Sequence, residues 1–225
     1  MEPTLSIIVP VLNEAAGIEA TLRALAPLRA RGAEVIVADG GSHDATVTLA
    51  RSLCERVLIT PAGRARQMNA GAEVARADVL LFLHADTQLP EGADHLVRRA
   101  LTAGAAWGRF DVRISGRPAM LRVVATLMNL RSRWTGIATG DQGLFVTRTA
   151  FERAGRFPDQ PLMEDVEISR RLCAISHPAC LRARVMTSGR RWETRGVWRT
   201  IFLMWRLRWR YWRGTPAQAL AEAYR

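Results

Sequence analysis

The feature that most constrains this chain is a rhythm in which short, β-branched apolar runs alternate with helical segments, each run ending at polar residues. Leu5-Ser6-Ile7-Ile8-Val9-Pro10-Val11 is the first run and closes on Asn13-Glu14. Ile18, Leu22 and Leu25 then fall at helical spacing. Glu34-Val35-Ile36-Val37-Ala38-Asp39 is the second run, stopped by Gly40-Gly41-Ser42. A helical stretch from Ala45 to Leu53 leads to Arg56-Val57-Leu58-Ile59, and a helix from Ala65 to Val74 leads to Val79-Leu80-Leu81-Phe82-Leu83. Runs this apolar are buried on both faces, and strands joined by helices imply right-handed crossovers and a mostly parallel sheet. Asn13, Asp39 and Asp86 all follow strand ends, the edge where open α/β sheets place their ligand crevice. Past residue 105 the alternation fades. Trp107 to Val112 and Gly143 to Val146 read as strands, and Met163 to Leu172 as a helix. Met120 to Leu130 reads as a core helix.

A length of 225 residues with 48% hydrophobic and 24% charged residues fits one globular domain with an appendage. The division falls into a domain over residues 1–192 and a C-terminal piece over 193–225. The net charge is +11, and all 32 basic residues are arginine because the chain holds no lysine. Such a balance favours anionic partners: phosphorylated substrates, anionic lipid or nucleic acid. Three cysteines (Cys54, Cys173 and Cys180) without CxxC spacing point to a reducing compartment rather than to a disulfide framework or a zinc site. The N-terminus shows no secretory signal, and no long uncharged apolar stretch reads as a spanning helix.

Acidic residues at loop edges carry the chemistry: Glu14, Asp39, Asp86 and the pair Glu164-Asp165. Carboxylates at strand ends can accept hydrogen bonds from a base or ribose, hold Mg²⁺ or Mn²⁺ through hard oxygen ligands, or take a proton. Each can equally serve as a cap or turn residue.

The order of the segments adds to this. Ile7-Ile8-Val9-Pro10-Val11-Leu12-Asn13-Glu14, Val37-Ala38-Asp39-Gly40-Gly41-Ser42-His43-Asp44 and Gly63-Arg64-Ala65-Arg66-Gln67-Met68-Asn69-Ala70-Gly71 come first. Leu83-His84-Ala85-Asp86, Gly140-Asp141-Gln142-Gly143 and Met163-Glu164-Asp165 follow. Over roughly residues 5–192 this succession resembles the family 2 glycosyltransferases, inverting enzymes with a Rossmann-like GT-A fold that use nucleotide sugars. The resemblance implies that Pro10 and Glu14 border the nucleobase, that Asp39 contacts base or ribose, and that Arg64 lies near the donor phosphates. Asn13, Gly40, Asn69 and His84 complete the implied donor set. Asp86 matches the last acid of the family's D-x-D metal motif, and Asp165, with Glu164 beside it, matches the general base. Gly140, Asp141 and Gln142 are implied to flank the acceptor, and Arg191-Trp192 to grip the departing diphosphate or an acceptor ring.

Two positions depart from the family pattern. His84 replaces the first acid of the metal motif, and Ser188 replaces the glutamine in the Q-x-x-R-W of processive synthases. The second change, with no spanning helix, speaks against processive synthesis. The reading is thus a UDP- or GDP-sugar-dependent hexosyltransferase with a Mn²⁺ or Mg²⁺ cofactor. A nucleotidyltransferase of similar fold would want a glycine-rich phosphate loop after the first strand, which Leu12-Asn13-Glu14 does not supply. A non-catalytic nucleotide-sugar-binding or membrane-adaptor protein is the remaining alternative.

The stretch from Val197 to Arg213 holds four of the seven tryptophans. At helical spacing Trp198, Ile201, Phe202, Trp205, Trp209 and Trp212 share one face, with Arg199, Arg206, Arg210 and Arg213 in a stripe beside it. Indoles and cations on a broad apolar face predict a helix lying in a membrane interface, which would make the protein peripheral on the inner, cytoplasmic side of the cell membrane. Packing on the catalytic domain with snorkelling arginines is the structural alternative. No nucleic-acid motif accompanies the aromatic and arginine residues, so nucleic acid is not the expected partner.

Overall fold

A computed structural model of the protein describes residues 3–224. In chain order it runs β1 (Leu5–Val11), α1 (Ile18–Ala24), α2 (Ala26–Ala30), β2 (Ala33–Asp39), α3 (Thr46–Ala50), β3 (Arg56–Ile59) and α4 (Arg64–Val74). There follow β4 (Val79–Phe82), β5 (Thr87–Gln88), α5 (Ala93–Thr102), β6 (Trp107–Ile114), α6 (Met120–Thr135) and a 3₁₀ turn over Gly140–Gln142. The chain continues through β7 (Leu144–Thr147), α7 (Arg148–Arg153), α8 (Glu164–Cys173), β8 (Ala179–Thr187), α9 (Arg190–Arg195), α10 (Val197–Trp212) and α11 (Ala217–Tyr224).

The eight strands form one sheet in the order β3-β2-β1-β4-β7-β6-β8-β5. The strands from β3 to β4 are parallel neighbours, as the crossover rhythm predicts. Beyond β4 the sheet is mixed: β7 runs antiparallel to both β4 and β6, whereas β6 and β8 are parallel with an irregularity at Phe110/Asp111. This change of direction explains why the alternation fades in the second half of the sequence.

Successive residues of β1 serve opposite faces. Ile7 and Val9 join Leu22, Leu25, Val97 and Leu121, under α1, α5 and α6. Ile8 joins Ile36, Met68, Phe82, Phe151 and Leu172, under α4, α7 and α8. All these side chains are buried, and each contributes about 1.5–3 kcal/mol by leaving water. Helix α4 approaches β1 so closely that a Cβ on Gly71 would press into the Ile8 side chain.

At the opposite end of the strands from the expected crevice, Glu34 is 2% exposed and joins three elements. It accepts from Ser6 Oγ (2.5 Å), from the Arg76 backbone N–H (2.5 Å) and from Arg76 Nε (3.0 Å). Burial alone would raise its pKa, but these donors outweigh that and hold it below the ordinary carboxylate range.

Two helices differ from the sequence expectation in instructive ways. Helix α6 buries Leu121, Val124 and Ala125 as a core helix should, yet it leaves Val123, Leu127, Leu130 and Trp134 in solvent along a second stripe. Helix α10 packs on the start of α8 and on α11 through Leu207, with Leu203, Met204 and Tyr211 joining Met163 and Leu220. Its opposite face presents Trp198, Phe202, Trp205, Trp209 and Trp212, and Trp134 of α6 is 85% exposed. Packing and an unpartnered aromatic face therefore coexist on one helix. Among the described residues no helix is long and apolar enough to cross a membrane.

Candidate functional site

Strand β1 sits between β2 and β4, so the loops leaving β1 and β4 part in opposite directions. A crevice forms at such a switch point without any special sequence. The loop after β1 is fixed against the loop after β2. The Asn13 backbone N–H donates to Ser42 Oγ (2.8 Å), its Oδ1 accepts from the His43 N–H (2.9 Å), and the Glu14 N–H donates to Thr46 Oγ1 (2.8 Å). Asn13 takes a positive φ of 55° to make this turn, a conformation asparagine tolerates. These bonds present the Glu14 carboxylate 3.9 Å from Arg190. Burial raises the Glu14 pKa, and Arg190 opposes the rise.

After β4 the chain places His84 and Asp86 on the neighbouring rim. Thr21 Oγ1 donates to the Ala85 carbonyl (2.5 Å), and the Ser188 N–H donates to the Asp86 carbonyl (3.2 Å). His84 Nδ1 lies 3.3 Å from Asp141 Oδ1. Its Nε2 is buried without a hydrogen-bond partner, close over Gly140, where any Cβ would collide with the ring. Burial works to raise the Asp141 pKa, but the His84 hydrogen bond and charge, with Arg64 and Arg191, bring it below the ordinary range.

The third side comes from the start of α8. Asp165 Oδ2 accepts from the Gly140 N–H (2.9 Å) and Oδ1 from the Val166 N–H (2.8 Å), so the carboxylate is fixed between the 3₁₀ turn and its own helix. Glu164 is almost fully buried, 3.2 Å from Arg64. Its burial and the adjacent Asp165 push its pKa up, with Arg64 opposing. Burial disfavours the charge of Arg64, yet Glu164, Asp165 and Asp141 together raise its pKa. The C-terminal helices close the cleft: Arg191 stacks 4.6 Å from the Tyr224 ring centroid, and Met204, Leu207 and Arg208 of α10 line the wall.

The result is one cavity of about 510 Å³. It gathers Pro10, Glu14, Arg64, His84, Asp86, Gly140, Asp141, Glu164, Asp165, Arg191 and Trp192, residues drawn from nearly the whole length of the chain. Five predicted positions do not line it. Asn13 is used in the loop tie. Asp39 is 1% exposed, its carboxylate accepting from the Gly41 and Ser42 N–H groups and from Ser42 Oγ. Gly40 faces the Gln67 side chain, which itself donates to the Val11 and Ala38 carbonyls (2.7 and 2.8 Å) and joins the ends of β1 and β2. Asn69 clasps the backbone of Phe157 at both its N–H and its carbonyl. Gln142 is fully buried and closes a capping box with Thr139. The sequence reading missed Arg190 and Arg208. Arg190 adjoins the selected Arg191, whereas Arg208 stands apart from the arginine stripe of α10, on the side where the helix turns inward.

Among the described residues no group of three or more His, Cys, Asp or Glu side chains is arranged to hold a metal by itself. The donor set suits a different kind of site. Asp86 is exposed, and among the described residues its carboxylate accepts only a long 3.4 Å bond from Thr87 Oγ1 to Oδ1. A carboxylate that free fits a hard divalent cation completed by phosphate oxygens and water, the usual habit of Mg²⁺ in phosphate sites.

A Rossmann-like sheet that is parallel in its first half, with acids and arginines meeting at its switch point, is the architecture of the GT-A glycosyltransferases. The chain belongs to glycosyl transferase family 2, whose family description matches residues 6–154. It is 40% identical over 109 residues to a PGL/p-HBAD biosynthesis glycosyltransferase of Mycobacterium bovis, covering 45% of this chain and 42% of that one. It is 32% identical over 152 residues to an undecaprenyl-phosphate 4-deoxy-4-formamido-L-arabinose transferase of Pseudomonas paraeruginosa, covering 61% of this chain and 44% of that one. The chain thus spans less than half the length of these two relatives. Its fold matches that of mannosyltransferase PcManGT from Pyrobaculum calidifontis, solved in complex with GDP-Man and Mn²⁺. The TM-score is 0.67 at 20% identity, over 100% of this chain and 69% of the other.

Proposed function

We propose that this glycosyltransferase moves a sugar from a UDP- or GDP-sugar to an acceptor hydroxyl with inversion at the anomeric carbon. The observation that carries the reading is the shared cavity: Asp86, Arg64 and Arg191 face the same space as Asp165. Charge builds on the diphosphate as the glycosidic bond breaks, and fixed cations in a desolvated cleft offset that charge where it develops. Arg64 and Arg191 supply two of them. Asp86 would hold Mn²⁺ or Mg²⁺, which when bound neutralises diphosphate charge. That a fold relative was solved with GDP-Man and Mn²⁺ supports both the donor class and the metal.

On the other side, Asp165 takes the acceptor proton as attack proceeds. The hydroxyl acidifies only along that path, so the weak basicity of a carboxylate is adequate. Its two backbone donors aim it, and the buried Glu164 anchors Arg64 beside it. Pro10 and Glu14 border the nucleobase. His84, with one buried nitrogen unmatched, touches the donor or a metal-bound water. Gly140, Asp141 and Trp192 flank the acceptor. Asn13, Asp39, Gly40, Asn69 and Gln142 act by shaping the loops around the donor and acceptor rather than by lining the cavity.

The exposed aromatic face of α10, together with the α6 stripe, fits a membrane interface, and the net charge of +11 fits anionic lipid. We place the enzyme on the cytoplasmic face of the membrane, with residues 193–225 as the attached element and a lipid-linked acceptor. The donor test is thermal unfolding with each UDP- and GDP-sugar plus Mn²⁺. At a hundredfold excess over Kd the matching donor stabilises the fold by about 2.7 kcal/mol. Unchanged unfolding with all of them contradicts the reading.

A further inference from the structure

Each of the other cavity arginines has a partner among the described residues. Arg64 pairs with Glu164, Arg190 approaches Glu14, Arg191 stacks on Tyr224, and Arg195 donates to the Tyr224 carbonyl (3.1 Å). Among the same residues the Arg208 side chain has neither a hydrogen bond nor an ion pair, although it lines the same cavity from the inward side of α10. Arg131 of α6 lies within reach of its charge. Among the described residues the Arg131 Nε is buried with no partner, and the guanidinium makes only a long 3.5 Å contact from Nη2 to the Ile137 carbonyl. Burial, with the Arg208 charge second, brings the Arg131 pKa down to about 10. Burial likewise lowers that of Arg208.

Two neighbouring cations without a paired carboxylate are an unbalanced arrangement, because desolvated charge is costly unless it is matched. Their position tells which ligand would match it. Leu207, the residue before Arg208, packs with Met163 at the start of α8, two residues before Asp165. Arg131 reaches the Ile137 carbonyl in the loop that leads to Gly140, whose N–H donates to Asp165. The unmatched pair therefore lies by the start of α8, where Asp165 faces the cavity. Met204 and Leu207 make the adjoining wall apolar. The reverse face of the same helix carries the exposed tryptophans.

The geometry points to a second anion subsite in which Arg208, backed by Arg131, holds a phosphate group on an amphipathic acceptor while the acceptor hydroxyl meets Asp165. A guanidinium fork matches phosphate oxygens two at a time and tolerates apolar surroundings. The proposal rests on the glycosyltransferase reading of the cleft, and it assigns a chemical class to the acceptor.

The test is calorimetric titration with n-octyl phosphate, with n-octanol as the uncharged control, in the presence and absence of saturating UDP or GDP with Mn²⁺. The wild-type protein binds octyl phosphate at least about tenfold tighter than octanol, and nucleotide does not displace it. Arg208→Ala removes that preference and Arg208→Lys keeps part of it, while circular dichroism shows both folded. Equal affinity for octyl phosphate and octanol overturns the subsite, as does an unchanged preference in Arg208→Ala. Displacement by nucleotide also overturns it, since the phosphate would then be occupying the donor site. If nucleotide with Mn²⁺ fails to bind at all while the phosphate preference persists, the donor reading falls and the anion site stands.

Discussion

Asp165→Asn abolishes transfer, lowering kcat by about 10³-fold, whereas affinity for the nucleoside diphosphate with Mn²⁺ stays within about threefold. The expected size follows from the residue's position. It shares a cavity with the cationic groups of the donor side but makes no ion pair with any of them, and its own contacts are the Gly140 and Val166 N–H groups. The amide cannot take a proton, yet it leaves the Arg64–Glu164 ion pair, Arg191 and Asp86 in place. One of the two backbone donors then faces an NH₂ group, an unmatched contact that costs about 1–3 kcal/mol. Steady-state kinetics are therefore paired with unfolding curves. A folded Asp165→Asn variant with full activity removes Asp165 from the reaction.

Replacing Trp205 and Trp209 together by serine releases the protein from anionic liposomes. Trp205 is 64% exposed and Trp209 58% exposed, so neither is needed for packing. Burying one large aromatic side chain in an apolar phase contributes about 1.5–3 kcal/mol. Even half of that from each ring weakens partitioning by roughly tenfold or more. Co-sedimentation measures the loss, and an unchanged unfolding curve shows that the packed side of α10, through Leu207, is intact. Retained co-sedimentation in the double variant refutes the interfacial face.

The legible part of this molecule is the part where burial leaves a simple pattern. Strands β1, β2 and β4 are covered on both faces, so Ile7-Ile8-Val9, Val35-Ile36-Val37 and Leu80-Leu81-Phe82 read directly as parallel strands. Strand β8 escaped the reading because Arg182 and Arg184 interrupt its apolar residues and much of it is only half-buried. The site was legible where its residues stand at strand ends, as Glu14, His84 and Asp86 do. It was less so where a side chain is used locally. Asp39 and Asn69 carry suitable chemistry, but whether they face a ligand or a neighbouring backbone depends on loop geometry that spacing does not encode. Helix α10 shows the same limit. A helical wheel exposes its tryptophan face at once, but its inward face, with Leu203, Leu207 and Tyr211, is apolar as well. Pattern alone therefore could not tell that the helix walls the cavity, nor that Arg208 lines it.

The central claim is that distant stretches of chain converge on one donor site that takes a divalent cation with the diphosphate. Titration of UDP and GDP into the wild-type protein and into Asp86→Ala, each with and without Mn²⁺, tests it most directly. The account predicts Mn²⁺-dependent binding of one nucleotide, weakened by about a hundredfold or more once the carboxylate is gone. Binding that ignores both Mn²⁺ and the loss of Asp86 contradicts it.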